Sequence, residues 1–302
     1  MFLDDLLRGA AGSAIQSARE PRAPCREAEV SSALAICHGP FGRACLYRID
    51  RPFVTHAHRE GHLVFHVGGA PATLLVDGRP FLVGPGTAVA IDPWQPHAHR
   101  PIAPGAEGTF LVLYVRPAWF LEASRRANVA LRFGCNGIAL SPPLVGSVAR
   151  VAGLLMEPCP AGQLANELSA LVQDCFDHSW GSRAGAPPRA ERVLLDFRIR
   201  KALKLIGARL DGELPFDRVA RDAGLSRPHF YKMFKSQLGV TPAVYLNTLR
   251  VECALEQLTG TRRSVTEIGQ ELGFTCQSSF TRFFAAHVGL VPTDYRRRAR
   301  LL

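Results

Sequence analysis

One stretch near the C-terminal end decides the fold, namely Leu214-Pro-Phe-Asp-Arg-Val-Ala-Arg-Asp-Ala-Gly-Leu-Ser-Arg-Pro-His-Phe-Tyr-Lys-Met-Phe-Lys235. A short apolar-faced helix meets Gly224, which supplies the positive φ that a tight turn needs. Ser226 follows as the N-cap of a second helix. Phe230 and Phe234 recur in that helix at helical spacing, so one face packs inward and the other meets solvent or a partner. This pattern predicts a helix-turn-helix with a recognition helix on a supporting helix.

The same pattern returns about fifty residues later, which makes it an internal repeat. Gly224 corresponds to Gly273, and the second turn holds one extra residue. Five further positions match at a common shift: Phe230, Phe234, Gly239, Pro242 and Tyr245 with Phe280, Phe284, Gly289, Pro292 and Tyr295. The repeat predicts two helix-turn-helix units, with an apolar helix over 249–258 as a rigid spacer.

The repeated segment resembles the DNA-binding domain of AraC/XylS-type transcription regulators, down to the closing Gly289-Leu-Val-Pro292-Thr-Asp-Tyr295-Arg296. The resemblance covers 192–302 and implies that two recognition helices enter successive major grooves on one face of promoter DNA. It also implies RNA polymerase as a further partner if the chain activates transcription.

The outward faces of these helices supply the candidates for DNA contact. The resemblance places base contacts at Arg227, Pro228, Tyr231, Lys232, Gln277, Ser278, Thr281 and Arg282. Arg282 suits guanine and Gln277 suits adenine, whereas Pro228 cannot donate a hydrogen bond. The candidates for phosphate contact are Arg218, Arg221, Lys235, Arg250, Arg262, Arg263, Arg296 and Arg297. Phosphate contacts position a protein without reading sequence.

The charge distribution agrees with this placement. From Ala190 onward there are 19 Lys and Arg against 11 Asp and Glu, a net charge of +8, while residues 1–189 hold 17 against 15. A basic excess confined to one half is what a polyanion-binding domain requires. The length of 302 residues allows two domains, which we expect at 1–179 and 192–302. A Gly-, Pro- and Ala-rich linker over 180–191 separates them, and a basic amphipathic helix over Val193–Leu210 opens the second domain.

The first domain has a different sequence pattern. A short amphipathic helix over 1–20 and a polar arm over 21–30 precede short apolar runs between Ser32 and Val115. These runs predict strands over 44–49, 62–67, 72–76, 87–91 and 109–115. Val76-Asp77-Gly78-Arg79 is a hairpin signal. Many short strands with turn signals predict an antiparallel barrel or sandwich.

Histidines sharpen this prediction. Thr55-His56-Ala-His58-Arg-Glu-Gly-His62 is followed by a turn at Gly84-Pro-Gly86 and then by Pro93-Trp94-Gln95-Pro96-His97. The layout resembles that of cupins, which commonly form the sensory half of AraC-type regulators. The expected fold class is therefore α+β, with an N-terminal cupin-like antiparallel β-barrel and flanking helices. An all-α domain of two helix-turn-helix units follows it.

Strand alternation predicts that His56, His58 and His62 share a face aimed into the barrel, with His97 close by. Three roles stay open for them: lining the pocket of a small-molecule effector, binding zinc, nickel or iron, or structure alone. His62 stands where a metal cupin carries a carboxylate, so no metal or other cofactor is assigned. His66 continues the alternation, and we expect it to be a hydrogen-bonded core residue.

Three helices are predicted after the barrel, over 117–121, 143–155 and 163–178. The last carries an apolar stripe of Leu164, Leu168, Leu171, Val172, Cys175 and Phe176. In AraC-type proteins such helices often pair two subunits, so the stripe predicts a homodimer contact. The alternative is that the stripe packs on its own barrel.

The eight cysteines are scattered without a Cys-x-x-Cys pair, which is typical of idle thiols in a cytosolic protein. Cys276 is the exception, because it begins the second recognition helix and its oxidation would disturb DNA docking. No apolar run approaches the length of a membrane span. The acidic start, Met-Phe-Leu-Asp4-Asp5, is unlike a secretory signal, so we expect a cytoplasmic protein.

Together these features predict a ligand-responsive, DNA-binding transcription regulator that is not an enzyme. Two alternatives remain. One is a metal-dependent cupin enzyme or metal sensor fused to a DNA-binding domain. The other is a constitutive DNA-binding protein whose barrel only dimerises.

Overall fold

A computed structural model describes residues 32–123, 130–157, 160–181, 195–212 and 214–302. The predicted N-terminal helix and arm, most of the predicted linker, and Cys25 and Cys159 lie outside these ranges. Among the described residues, no helix is both long enough and apolar enough to cross a bilayer.

The described residues form two sheets, and all but one of their strands come from the first part of the chain. The strands are β1 Ser32–Gly39, β2 Gly42–Ile49, β3 Gly61–Gly69, β4 Ala72–Val76, β5 Arg79–Val83, β6 Thr87–Ile91, β7 His97–Pro101, β8 Gly108–Val115, β9 Gly137–Ala139 and β10 Ala299–Leu301. One sheet has the order β10-β1-β2-β8-β3-β6-β9, and the other has the order β5-β4-β7. Alternate apolar residues of both sheets share one core, so the sheets face each other. The five predicted strands and the α+β class are confirmed.

The predicted hairpin is present between β4 and β5. Val76 pairs with Arg79 across a two-residue turn. Asp77 and Gly78 both have positive φ, at 50° and 77°. Two positive φ values define the turn type whose twist matches that of paired strands, and Asp-Gly adopts it readily. This turn sets the register of the smaller sheet.

Three helices cover the outer face of the larger sheet: α1 Pro117–Ala123, α2 Pro142–Met156 and α3 Ala161–Gly181. The predicted helices are confirmed, but the dimer assignment for the α3 stripe is wrong. Leu164, Leu171 and Phe176 are fully buried in a core that the chain forms with its own α2 and β-strands. An apolar stripe already removed from water has no surface left to pair with a second subunit. We call residues 32–181 the barrel domain.

In the described part of the chain after Gly181, the helices are α4 Phe197–Gly207, α5 Phe216–Asp222, α6 Arg227–Leu238, α7 Pro242–Gly260, α8 Val265–Glu271, α9 Gln277–Val288 and α10 Pro292–Arg298. We call 195–298 the helical domain. α4 begins at Phe197 and not at Val193, because the side chain of Asp196 accepts a hydrogen bond from Arg198 N and caps it. Gly224 and Gly273 have φ of 75° and 82°, as the two predicted turns require.

The end of the helical domain returns to the barrel, which the sequence pattern did not indicate. β10 pairs in parallel with β1, with Ile36 opposite Ala299 and His38 opposite Leu301. The apolar core of the second helix-turn-helix unit is also continuous with the interior of the barrel. The first unit packs around a separate core with Phe230 and Phe234, which also includes Ala57 of the barrel. The second domain is therefore all-α except for this added strand.

Candidate DNA-binding face and histidine cluster

The first recognition helix, α6, presents a polar face to solvent. Phe230 is fully buried, whereas Arg227, Pro228 and Lys232 are exposed. Arg227 forms an ion pair with Asp217. Tyr231 differs from the prediction because it is half-buried and its ring meets those of Phe230 and Phe216 edge-on.

The second recognition helix, α9, has the same arrangement. Phe280 and Phe284 are fully buried, while Gln277, Ser278 and Arg282 are exposed and Thr281 is half-buried. Gln277 Oε1 accepts a hydrogen bond of 2.8 Å from Thr266 Oγ1 of the supporting helix α8. Among the described residues, the contact found for the Arg282 guanidinium is a long one of 3.4 Å to Ser279 Oγ. Its guanidinium is thus free to turn towards a base edge.

The predicted phosphate contacts divide into two groups. Six are exposed: Arg218, Arg221, Lys235, Arg262, Arg263 and Arg297. Arg250 instead donates to the carbonyls of Leu210 and Gly212, and so fastens the loop between α4 and α5 to α7. Arg296 donates to the carbonyl of Leu258 and ties α10 to α7. Both guanidinium groups are used inside the helical domain.

The four predicted histidines come together, although not by strand alternation. His56 and His58 lie in the irregular segment before β3, where His56 forms only an isolated β-bridge with His97. His62 is in β3 and His97 begins β7. All four side chains are buried, with ring centroids 4.4 Å apart for His56–His97 and 5.5 Å apart for His58–His62. We call His56, His58, His62 and His97 the histidine cluster.

Backbone carbonyls fix the ring orientation of two members. His56 Nδ1 lies 2.7 Å from Val54 O, and His97 Nδ1 lies 2.9 Å from Gln95 O. A carbonyl can only accept, so both Nδ1 atoms carry the proton and both Nε2 atoms keep a lone pair. His62 Nδ1 lies 3.2 Å from His97 Nε2 and donates to it. His62 Nε2 is then an acceptor too.

Burial keeps these rings neutral. Loss of solvation lowers the pKa of His56, His58 and His62 well below 6.5, and the neighbouring histidines lower it further. The pKa of His97 falls to about 4, again mainly through burial. The cluster is therefore a set of uncharged imidazoles with lone pairs at neutral pH.

Two histidines that sequence reasoning did not assign lie beside the cluster. His99, on β7, is buried and has a pKa lowered to about 4 by burial. His287 belongs to α9 and lines the same two small cavities as His56. His99 lies two residues after His97 on β7, so strand alternation would have suggested it. Only the tertiary fold brings His287 close to the cluster. His66 is hydrogen-bonded as expected, with Nε2 donating to Gly69 O, but it is half-buried near the end of β3 and does not belong to the core.

The helical domain closes directly over the cluster. Thr248 Oγ1 of α7 donates to Ala57 O at 2.9 Å, between two cluster residues. The ring of Trp94 stacks on Tyr245 with centroids 5.0 Å apart. A Cβ atom built on Gly289, after α9, falls 2.4 Å from Phe53 Cζ, so glycine is needed for this approach. The two cavities beside the cluster hold about 20 and 30 Å³.

A much larger cleft opens elsewhere between the domains, with a volume of about 690 Å³. We call it the interdomain cleft. Its barrel side carries Arg43, Arg116 and Glu60, and its helical side carries Glu252 of α7. Within the described part of the chain, Arg43 Nε, Glu60 Oε2 and Glu252 Oε1 are buried without a hydrogen-bond partner. Burial raises the pKa of Glu252 to about 7, despite its ion pair with Arg59.

Two helix-turn-helix units with exposed polar recognition faces, joined to a barrel, define a bipartite DNA-binding regulator. Residues 219–298 match the helix-turn-helix domain family, and residues 45–193 match the AraC-like ligand binding domain family. The Transposon Tn10 TetD protein of Escherichia coli is 36% identical over 99 residues, which are 33% of this chain and 72% of that protein. SoxS of Escherichia coli is 30% identical over 100 residues, which are 33% of this chain and 94% of SoxS. The chain belongs to the AraC family of transcriptional regulators.

Other similarities are partial or concern the fold alone. The MmsAB operon regulatory protein of Pseudomonas aeruginosa is 34% identical over 91 residues, so the match spans 30% of each protein. Crystal structures of ToxT from Vibrio cholerae match the fold with a TM-score of 0.54 at 12% identity. That match covers 84% of this chain and 96% of ToxT, and includes both domains.

Proposed function

We propose that the chain regulates transcription by binding promoter DNA through α6 and α9, under the control of a small molecule held by the barrel domain. One observation carries the proposal: both recognition helices bury their aromatic residues and expose their polar ones. Exposed polar residues at the start of a recognition helix are the groups that reach base edges in a major groove. Exposed cations around them supply the sequence-independent attraction to phosphates.

Within this proposal, Arg282 and Gln277 read bases in one groove, while Arg227 and Lys232 act in the other. Pro228 adds an apolar contact at most. Six cations make phosphate contacts, whereas Arg250 and Arg296 keep their structural hydrogen bonds. Arg282 and Arg297 are a matched pair for distinguishing base reading from phosphate contact, because both are exposed arginines on the helical domain.

A binding-site selection with Arg282→Ala and Arg297→Ala in the full chain tests the DNA-binding role. We expect Arg282→Ala to relax the preference at one base position, at a cost of about 1–3 kcal/mol. Arg297→Ala should weaken all sequences alike and reduce the salt dependence of binding. A uniform loss for Arg282→Ala with an unchanged preferred sequence would refute base reading by this residue.

The effector site that best fits an organic molecule is the interdomain cleft. A volume of about 690 Å³ lies in the range of small-molecule sites, whereas the cavities at the histidine cluster are an order of magnitude smaller. Arg43 and Arg116 supply donors for a carboxylate. The solved ToxT complexes hold an unsaturated fatty acid and a butenoic acid derivative, both of which are carboxylic acids. We therefore assign the effector to the class of organic acids.

An acid bound there contacts the barrel domain and α7 together, so it favours one relative position of the two domains. Mass spectrometry of ligands released from natively purified protein, followed by DNA-affinity measurements with the identified acid, tests this assignment. We expect Arg116→Ala to weaken the response to the acid and to leave DNA affinity without the acid unchanged. An equal response in the variant and in the wild type would contradict it.

The remaining parts of the proposal follow from the DNA target. A protein that binds promoter DNA works in the cytoplasm, contacts RNA polymerase if it is an activator, and gains affinity on paired half-sites as a homodimer. We propose no enzymatic activity at the histidine cluster, because the space beside it leaves no room for an organic substrate.

A further inference from the structure

The histidine cluster is not used by DNA binding or by the interdomain cleft, yet it is the densest group of buried polar side chains near the domain interface. One ring nitrogen each from His56, His58 and His97 lies within 4.8 Å of the other two. Three neutral imidazoles are a ligand set that zinc, nickel, cobalt and iron accept. A hydrophobic core has no need of such a group, because each unpaired buried polar atom costs stability.

The orientation of the rings favours the same interpretation. His56 and His97 each donate Nδ1–H to a backbone carbonyl, which leaves Nε2 directed elsewhere. Metal-binding histidines are held in this way, since a carbonyl on one ring nitrogen fixes the tautomer and the aim of the other. Within the described residues, His58 Nε2 and His62 Nε2 are buried without a hydrogen-bond partner. His62 Nε2 has a lone pair, because His62 Nδ1 donates to His97 Nε2, and no described group satisfies that lone pair.

The available space decides between classes of ligand. The two cavities at the cluster hold about 20 and 30 Å³. A single water needs roughly 10–15 Å³ by this measure, and organic ligands occupy roughly 300–1,000 Å³. Cavities of this size match an ion or a water, whereas they are too small for an organic effector.

We propose that His56, His58 and His97 bind one divalent transition-metal ion of the zinc, cobalt and nickel group, with His62 as the adjacent fourth imidazole. Binding requires His97 Nε2 to exchange the hydrogen bond from His62 for the ion. Bonds of about 2.1 Å from the ion to each nitrogen fix the three donors around one point. The segment 55–58 and the start of β7 are therefore held together by the ion.

This segment also contacts the helical domain. Metal binding there therefore has a regulatory consequence, which rests on the proposed function. Ala57 O accepts a hydrogen bond from Thr248 of α7. Val54 O accepts from His56 Nδ1, and Val54 N donates to Ala286 O of α9 at 3.4 Å. His287 of α9 faces the same cavities. Metal occupancy therefore changes how firmly α7 and the second recognition helix are held against the barrel.

Cobalt provides the first test, because its visible absorption reports on the ligands. The full-length protein is stripped with a chelator, dialysed, and titrated with Co²⁺ and then with competing Zn²⁺. We expect one Co²⁺ per chain, displaced by Zn²⁺, and binding at least about 100-fold weaker in His58→Gln. His66→Gln is the matched control, since His66 is outside the histidine cluster, near the end of β3, and its Nε2 donates to Gly69 O. It should bind Co²⁺ like the wild type.

X-ray absorption of the wild-type cobalt protein keeps the test independent of whether a variant folds. At least three imidazole nitrogens in the coordination shell support the site, while a shell of water and carboxylate oxygens overturns it. Less than one Co²⁺ per chain, or an equal loss in His58→Gln and His66→Gln, also overturns it.

DNA affinity with and without Zn²⁺ tests the regulatory part. We expect a change of several-fold in the wild type and none in His58→Gln. Metal binding without any effect on DNA overturns the regulatory part and leaves a structural ion. If no metal binds while Arg282→Ala still alters the preferred sequence, the proposed function stands and this inference falls.

Discussion

At the scale of single residues, local surroundings separate side chains of the same type. Cys45 and Cys175 are buried, and burial raises their pKa to about 11 and about 12. Cys276 is exposed at the N-cap of α9, and hydrogen bonds from Ser278 and Ser279 lower its pKa to about 7. Thiolates are the reactive form of cysteine, so Cys276 is the reactive thiol of these three.

Alkylation by iodoacetamide should therefore select Cys276. We expect its rate to rise as pH increases through about 7, because the thiolate fraction rises there. The added group lies at the start of the second recognition helix, so DNA affinity should fall with the extent of modification. Mass spectrometry locates the adduct, and Cys276→Ser is the control that should keep its DNA affinity under the same treatment. Preferential labelling of Cys45 or Cys175 would contradict the expectation.

His38 gives the fold a pH dependence. Its Nε2 lies 2.8 Å from the hydroxyl of Tyr295 in α10, and burial together with Arg43 and Arg116 lowers its pKa to about 4. The unfolded chain, with a histidine pKa of about 6.5, takes up the proton first as pH falls. The contribution of neutral His38 to the free energy of unfolding is therefore fully present above pH 6.5, and it is lost as the pH falls from 6.5 towards 4.

Urea unfolding of wild type and His38→Gln at several pH values measures this contribution. Below pH 6.5 the free energy of unfolding should fall more steeply in the wild type, by up to about 1.4 kcal/mol per pH unit. The other buried histidines are present in both proteins, so their contributions cancel in the comparison. Parallel pH profiles would show that His38 is protonated equally in the folded and unfolded chains.

At the scale of helices, the two helix-turn-helix units differ in how the N-termini of their helices are capped. Ser264 caps α8 in a capping box, in which its side chain accepts from Glu267 N and the Glu267 side chain accepts from Ser264 N. Ser226 occupies the same position at α6 but makes no side-chain cap hydrogen bond. Pro228 stands at the second helical position there, and proline lacks one of the two N–H groups that a cap usually binds. Ser226 was predicted as the N-cap. It stands at that position, but its side chain makes no capping hydrogen bond.

The two serines form a matched pair for testing caps. Ser264→Ala should lower the free energy of unfolding by about 1 kcal/mol, because a backbone N–H at the start of α8 loses its partner. Ser226→Ala should change it by only a few tenths of a kcal/mol. Urea midpoints of the two variants give the comparison. Equal losses would mean that Ser226 also caps its helix in solution.

At the scale of the whole molecule, the last strand ties the two domains together. β10 pairs with β1, Leu302 N donates to His38 O at 2.9 Å, and Arg300 donates to Leu155 O of α2. These bonds cross from the end of the helical domain to the barrel domain. They act with the Trp94–Tyr245 stack and the Arg59–Glu252 ion pair to hold α7 and α9 over the histidine cluster.

Deletion of 299–302 should therefore loosen the domain arrangement while leaving both helix-turn-helix units folded. Small-angle scattering should show a larger radius of gyration, and helical circular dichroism should stay nearly unchanged. Leu301→Ala is the control, because the Leu301 side chain is mostly exposed and the backbone pairing of β10 survives. An unchanged radius after deletion would assign the domain contact to α7 and α9 alone.

The sequence by itself determined the helix-turn-helix units, five strands of the barrel and the identity of four clustering histidines. Each of these depends on spacing within a short segment: glycine at the turns Gly224 and Gly273, phenylalanines at helical intervals, and Asp77-Gly78 in the hairpin. Local patterns specify which side of an element is buried, because burial and backbone geometry repeat with the period of that element.

Only the tertiary structure decided what those buried sides meet. His56 and His58 reach the cluster through an irregular segment, His287 arrives from α9, and the α3 stripe is covered by the chain itself. β10 joins β1 from the far end of the chain. Contacts of this kind join surfaces that are distant in sequence, and their pairing is set by the packing of whole elements. No local spacing encodes that choice, because many surfaces of similar polarity compete for the same partner.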